Sequence, residues 1–234
     1  MHLPSTDSTN RAAQRLAREG QAAPFWVTAD AQTAARGRRG RAWSMGARSL
    51  ACSAALRPGQ SPAHAALRSF AAAVALVEAL EMSGVAGGDL SLKWPNDVLF
   101  GGDKLAGILL ESTQLDGALL LIVGIGVNLG ERPAAEQLEP GALPPGYVTG
   151  VASGDLFARL AHRFDVWNTQ LSTEGFEPLR AAWLARAARL GETITAKLPN
   201  CQLSGVFQTV DADGALVLDT ANGRRHLAAA DVFF

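Results

Sequence analysis

The stretch from Leu90 to Val127 limits the fold more than any other part of the chain. Four segments there, Leu90–Lys93, Val98–Phe100, Leu105–Ser112 and Ala118–Val127, are dominated by Leu, Val, Ile and Phe. Only short turns at Pro95-Asn96-Asp97, Gly101-Gly102 and Asp116-Gly117 interrupt them. Connections this tight fold the chain back on itself, so the block reads as strands joined by turns. The segments before it read differently. Residues 6–20 have the pattern of a helix entered through Asp7 or Ser8 and closed by Gly20. Phe25–Ala29 reads as a short strand, 30–46 as a loop without periodicity, and Ser49–Arg57 as a strand. Ser61–Met82 reads as an Ala-rich helix begun by Ser61-Pro62.

After the block, residues 130–150, rich in Pro, Gly and Glu, read as a surface connection. Helical periodicity follows over Asp155–Leu171 and Pro178–Arg189. Beyond Gly191 the period becomes two: 192–198, 202–210, 215–220 and 224–234 alternate, with turns at Asp211-Ala212-Asp213-Gly214 and Asn222-Gly223. The expectation is a domain over 1–188 and a small β-barrel over 189–234. A barrel of roughly 45 residues is marginal alone and is expected to dock on the larger domain. A helix-turn-helix would need some tens of residues ahead of the first motif, and almost none are present.

Composition narrows the function classes. Hydrophobic residues make up 48% of the 234 and charged residues 18%, which gives a packed core and excludes general disorder. A net charge of −1 supplies no global attraction to nucleic acid or an anionic membrane, so neither is expected as a partner. Cys52 and Cys201 have no metal-ligand spacing, sit in apolar alternating runs and read as buried free thiols. The four histidines are scattered, so no metal-ligating residue is singled out. No secretory leader pattern opens the chain and no uninterrupted apolar stretch reaches membrane-spanning length, so a cytoplasmic protein is expected. Of 21 basic residues only Lys93, Lys104 and Lys197 are lysines, which draws attention to the pair in the strand block.

Four segments carry chemistry. Arg36-Gly37-Arg38-Arg39-Gly40-Arg41, followed by Trp43, combines close backbone approach with guanidinium forks. It suits a phosphorylated ligand, or equally a solvated basic loop or RNA patch. Lys93-Trp94-Pro95-Asn96-Asp97 and the following Lys104 put a carboxylate near two lysines on adjoining strands, or else form a structural turn. Gly124-Ile125-Gly126-Val127-Asn128-Leu129-Gly130 has the wrong glycine spacing for a dinucleotide fingerprint and opens no helix. What remains there is Asn128 at a strand end, as an adenine or ribose contact or as a turn cap. Asp7-Ser8-Thr9-Asn10 is a helix cap that also offers hydroxyls and an amide to an uncharged polar group.

Taken in order, DSTN, Gln32 with RGRRGRAW, KWPNDV, KLAGIL and GIGVNLG resemble the biotin–protein ligase family across residues 6–130, and the barrel from about 190 resembles its C-terminal domain. The resemblance implies an α+β fold: a mixed sheet with helices on one side, of the class II synthetase-like type, plus a small SH3-like barrel. It implies biotin and ATP as substrates, Mg²⁺, and a biotin carboxyl carrier protein whose lysine accepts the biotin, in a monomer or homodimer. It assigns Ser8, Thr9, Asn10 and Gln32 to the biotin ring, and Arg36, Gly37 and Arg38 to biotin and the adenylate phosphate. Lys104 would meet the biotin carboxylate and α-phosphate. Trp43, Asn96 and Asn128 would contact the adenosine or ATP, and Asp97 would act near the incoming amine. Arg36, Asp97 and Lys104 are the catalytic choices. Ala35 departs from the family's usual Gly before the first loop Arg. The rival readings are a lipoate-type ligase, against which Gln32, the arginine loop and KWPND speak, and a non-catalytic regulator binding a vitamin or nucleic acid, against which intact Lys104 and Asp97 speak.

Overall fold

The computed structural model describes residues 1–234 except 44, 47, 60, 133–142, 199 and 234. The elements are β1 (His2–Thr6), α1 (Thr9–Arg18), β2 (Phe25–Gln32), β3 (Leu50–Leu56), α2 (Pro62–Ala66), α3 (Arg68–Met82), β4 (Leu90–Lys93), β5 (Asp97–Phe100), β6 (Asp103–Leu115) and β7 (Ala118–Val127). They continue with α4 (Ser153–Glu174), α5 (Glu177–Leu184), β8 (Thr193–Lys197), β9 (Gln202–Val210), β10 (Leu216–Thr220), β11 (Gly223–Leu227) and β12 (Asp231–Phe233). Seven strands form one sheet in the order β1-β2-β3-β7-β6-β5-β4, and five form a second in the order β11-β10-β9-β8-β12. Only β1 with β2 is parallel within the large sheet, which makes it mixed.

The tight turns of the 90–127 block do form antiparallel pairs, and β6 with β7 is the longest ladder in the molecule. Alternation along these strands decides what faces where. Val123, Ile125 and Val127 of β7, with Cys52 and Ala54 of β3, join the core beneath α3. Leu120 and Ile122 of β7, with Ala55 of β3, turn to the other face and meet Ala12, Ala13 and Ala17 of α1. Every residue of β3 is therefore buried. This corrects the expectation of helices on one side: α3 and α4 cover one face, while α1 covers part of the other. A strand apolar at every position needs cover on both faces.

Further departures have local causes. β1 was not foreseen; its sequence HLPST is polar and mostly exposed, and it adds to an edge through backbone pairing with β2. β2 runs on to Gln32 because β1 pairs with it as far as that residue. The helix expected over 61–82 breaks at Leu67 into α2 and α3. Pro62–Met82 is in fact long and apolar enough to span a membrane, with a mean hydropathy of 1.4, which corrects the expectation that no stretch is. Here 72% of that window is buried in the core, and α3, enclosed along most of its length, is its central rod. The segment 224–234 is two strands, β11 and β12, on opposite edges of the small sheet. Cys52 is buried, and burial pushes its thiol well above the ordinary range, but Cys201 is exposed, against expectation. Part of the 130–150 connection lies outside the described residues; the described part returns to the sheet, with Val148 buried against Leu129.

The second sheet shares its core with the first. Phe207, Leu216 and Leu218 belong to the same apolar cluster as Leu76 and Leu80 of α3. Between the sheets, the indole Nε1 of buried Trp94 donates to the Gly214 carbonyl at 3.0 Å. Trp94→Phe keeps an aromatic ring, but a smaller one, and leaves that carbonyl unpaired, so we expect a loss of at least about 1–3 kcal/mol in urea unfolding, from the lost bond together with the void left by the smaller ring. An unchanged midpoint would remove this bond from the coupling of the sheets.

Candidate active site

On the α1 face the sheet is bare beyond the helix, because three cavity-facing positions carry no side chain: Gly124 and Gly126 of β7 and Gly107 of β6. At Gly124 a Cβ would collide with the Asn10 side chain. At Gly126 it would stand 2.7 Å from Trp43 Nε1, and at Gly107 3.2 Å from the same indole. The floor is thus backbone, with Asn10 seated on one end and Trp43 on the other. Above it lies a cavity of about 730 Å³.

Every residue to which the resemblance assigns a role lines this cavity: Ser8, Thr9, Asn10, Gln32, Arg36, Gly37, Arg38, Trp43, Asn96, Asp97, Lys104 and Asn128. At the α1 end the groups are neutral and mutually bonded. Gln32 Oε1 accepts from the Thr9 backbone N–H at 2.8 Å and from the Thr9 hydroxyl at 3.3 Å. The buried Ser53 hydroxyl donates to Asn10 Oδ1 at 2.6 Å and lies 2.8 Å from Thr9 Oγ1. Asn10 Nδ2 donates to Glu111 Oε2 at 2.8 Å. Ser8 is the N-cap of α1, yet its side chain makes no capping bond and is left to the cavity. Asp7 turns outward to Arg15, whose hydrogen bond holds its carboxyl well below the usual range.

The opposite end is cationic. Lys104 Nζ pairs with Asp97 Oδ1 at 2.8 Å and lies 5.4 Å over the Trp43 ring. Arg36 Nη2 pairs with Glu111 Oε1 at 3.2 Å, and Arg38 donates to Asn96 Oδ1 at 3.3 Å. Arg39 and Arg41 converge on one oxygen of Asp231, at 2.6 and 2.7 Å. Burial pushes the Arg38 and Lys93 pKa values down, against the opposing pull of nearby Asp97 and Asp231. Three buried polar atoms at the cavity, Arg36 Nε, Trp43 Nε1 and Asn128 Oδ1, have no partner among the described residues. Buried polar atoms left without a bond are costly, and these three lie around one cavity.

Sequence reasoning missed Ser53, Glu111, Asp231 and the glycine floor. Ser53 is a lone hydroxyl in an apolar strand, and Glu111 falls at even spacing from Gly107 and Leu109, so strand parity could have found both. Asp231 carried no signal: it comes from β12, 190 positions beyond Arg41.

Residues 2–128 match the biotin/lipoate A/B protein ligase family and residues 190–234 match the biotin protein ligase C terminal domain. The chain belongs to the biotin/lipoate ligase family. Within it, the chain is 47% identical to the biotin–[acetyl-CoA-carboxylase] ligase of Paracoccus denitrificans, over 99% of both chains. It is 30% identical to the bifunctional ligase/repressor of Bacillus subtilis, covering 96% of this chain and 70% of that one. The biotin protein ligase of Aquifex aeolicus, solved in complex with biotin and ATP, superposes with a TM-score of 0.79 at 25% identity, over 99% of this chain and 96% of that one.

The Arg36–Arg41 loop is tied down chiefly by polar contacts, and Asp231 holds two of its arginines. Burial alone would raise the Asp231 carboxyl, but the Arg41 hydrogen bond and the charges of Arg41, Arg39 and Arg38 bring it below its ordinary value. A depressed folded pKa makes this contribution complete at neutral pH and lost only as pH falls through the folded value. We therefore expect Asp231→Asn to make the loop arginines several-fold more sensitive to trypsin, and wild-type protection to stay flat across neutral pH. Equal cleavage rates in the two proteins would show that Asp231 does not hold the loop.

Proposed function

We propose that the cavity activates biotin with ATP to biotinyl-5′-AMP and passes the biotinyl group to a lysine of a biotin carboxyl carrier domain of acetyl-CoA carboxylase. The observation that carries this is the polarity of one cavity: a neutral, hydrogen-bonded end and a cationic end on a common backbone floor. Ser8, Thr9, Asn10 and Gln32 carry both donors and acceptors, which suits a ureido ring; a dithiolane ring offers them no hydrogen-bond partner. Arg36, Gly37, Arg38 and Lys104 take the biotin carboxylate and the α-phosphate. Trp43 offers a flat face and its unpaired Nε1, and Asn128 its unpaired Oδ1, to the adenosine part, with Asn96 steadying Arg38.

In the first step a biotin carboxylate oxygen attacks the α-phosphorus of ATP. An O–P bond forms, the bond from that phosphorus to the bridging oxygen breaks, and pyrophosphate leaves. Negative charge grows on the phosphate oxygens, where fixed cations lower the barrier. In the second step the carrier lysine amine attacks the acyl carbon; the C–N bond forms, AMP leaves, and the amine gives up a proton. Asp97 fixes Lys104 and stands ready to take up that proton. The carboxylates that line the cavity, Asp97 and Asp231, and Glu111 bonded to its lining residues Asn10 and Arg36, are all paired with cations or amides. Mg²⁺ accordingly fits as part of the MgATP substrate, held by the phosphates. We further propose that the chain works in the cytoplasm and divides into functional units at 188/189.

Lys104→Ala should slow biotin-dependent ATP–pyrophosphate exchange by about 10²–10³ while the fold is retained, since it removes a fixed donor at developing charge. Near-normal exchange would take Lys104 out of the mechanism. The activity itself is tested by ATP-dependent labelling of a biotin carrier domain. Biotin should label it and lipoate should not; the reverse would reassign the chain to the lipoate branch.

A further inference from the structure

Glu111 lies outside every motif that marks the family resemblance, yet it bonds to a lining residue at each end of the cavity, Asn10 and Arg36. It stands on β6 at even spacing from Gly107 and Leu109, so its side chain rises from the same face. One carboxylate oxygen, Oε2, accepts from Asn10 Nδ2 at 2.8 Å. The other, Oε1, accepts from Arg36 Nη2 at 3.2 Å. The Asn10 amide is not free to turn over, because its Nδ2 also donates to the Leu109 backbone carbonyl at 3.3 Å, which can only accept, while its oxygen accepts from the Ser53 hydroxyl at 2.6 Å. Both neighbours therefore present donors to Glu111, and only a group with two acceptors and no donor satisfies them together. Gripped at Nη2, the Arg36 guanidinium keeps Nε buried and unpaired among the described residues, a donor left for a ligand.

We propose that Glu111 is the positioning residue that couples the two ends of the cavity. Its carboxylate sets the Asn10 amide and the Arg36 guanidinium at once, so seating the ring and presenting the substrate carboxylate to ATP are one linked event. This rests on reading the cavity as the biotin and ATP site. Glutamine at this position has the same shape but replaces one acceptor with an NH₂, which meets a donor whichever way it turns. Aspartate keeps both acceptors and loses one methylene of reach. Double acceptance therefore ranks Asp above Gln, whereas simple space-filling ranks Gln above Asp.

The test is biotin-dependent ATP–pyrophosphate exchange on the full chain with Glu111→Gln and Glu111→Asp, reading KM for biotin and kcat separately beside the melting temperature. Because hydrogen bonds to charged groups are at stake, the Gln variant should raise KM and lower kcat, each by roughly tenfold or more, at an unchanged Tm. The Asp variant should fall between Gln and wild type in both constants. If the Gln variant moves only one constant, or neither, or if Asp is worse than Gln, the coupling role is overturned. Should the Gln variant not fold, the Asp variant decides: both constants must move, and anything less overturns the proposal. A wild-type chain that exchanges no pyrophosphate in the presence of biotin refutes the functional reading itself, whatever Glu111 does.

Discussion

Helix α1 approaches β7 so closely that no Cβ fits between them at position 124. The rest of the cavity depends on that contact. It lays the Asn10 amide flat against the sheet, where Ser53 from β3 and Glu111 from β6 reach it from two neighbouring strands. A side chain at 124 would lift the start of α1, and with it Ser8 and Thr9, away from Gln32. Three strands and one helix terminus are thereby fixed by bonds among side chains that are themselves packed, which is what a precise polar pocket requires. The small residues of α1, Ala12, Ala13 and Ala17, serve the same end, because the helix can sit this low only where nothing bulky intervenes.

The other face of the sheet has a different task. There α3 is buried along most of its length by the large sheet, α4, α5 and strands of the small sheet, with Glu78 and Glu81 on its rim paired with Arg163 and Arg186. A single core spanning both sheets positions β12 against the arginine loop, and so brings Asp231 to Arg39 and Arg41. Arg39 adopts a positive φ of 57°, uncommon for a residue with a Cβ, and the ion pair to Asp231 is what holds its side chain there. The C-terminal strands thus contribute directly to the cavity wall through Asp231, Val232 and Phe233.

Much of this was legible in the sequence, for reasons that differ by element. The strand block was readable because Gly-Gly and Asp-Gly turns leave one chain path between apolar runs, and the small sheet because alternation runs through β8 and β9 and turn residues flank β10, although a register shift at Val217/Leu218 interrupts the pairing. β1 was not readable: a polar five-residue edge strand is held by backbone pairing, which writes nothing into the side chains. The break at Leu67 was hidden because 61–82 has unbroken helical composition on both sides of it. In the cavity, motif residues stood out by type, but the residues that hold them did not. Ser53 and Glu111 are single polar residues on strands, and Asp231 is distant in the chain, so their importance lies in contacts that only the fold creates. Cys201 was misplaced because alternation marks two faces without saying which faces the core.

The charges at the cavity explain how it can be ordered without an anion and still receive one. Each cation on the loop and floor already has a partner: Lys104 with Asp97, Arg36 with Glu111, Arg39 and Arg41 with Asp231. These arginines and this lysine remain roughly a third or more exposed. Their carboxylate partners are more enclosed, so these pairs lie between solvated surface pairs, which water screens, and buried ones, whose carboxylates need a partner. A phosphate or carboxylate that enters and excludes water offers the same guanidinium groups stronger, charge-assisted bonds. The cations can therefore add an anionic ligand to the partners they keep, while Asp97, Glu111 and Asp231 hold them in place and keep them from repelling one another. Arg38 differs: it is half-buried, and its bonds among the described residues go to neutral oxygens, those of Asn96 and Ala230. Among the described residues no carboxylate is bonded to its charge, so it has much to gain when an anion arrives.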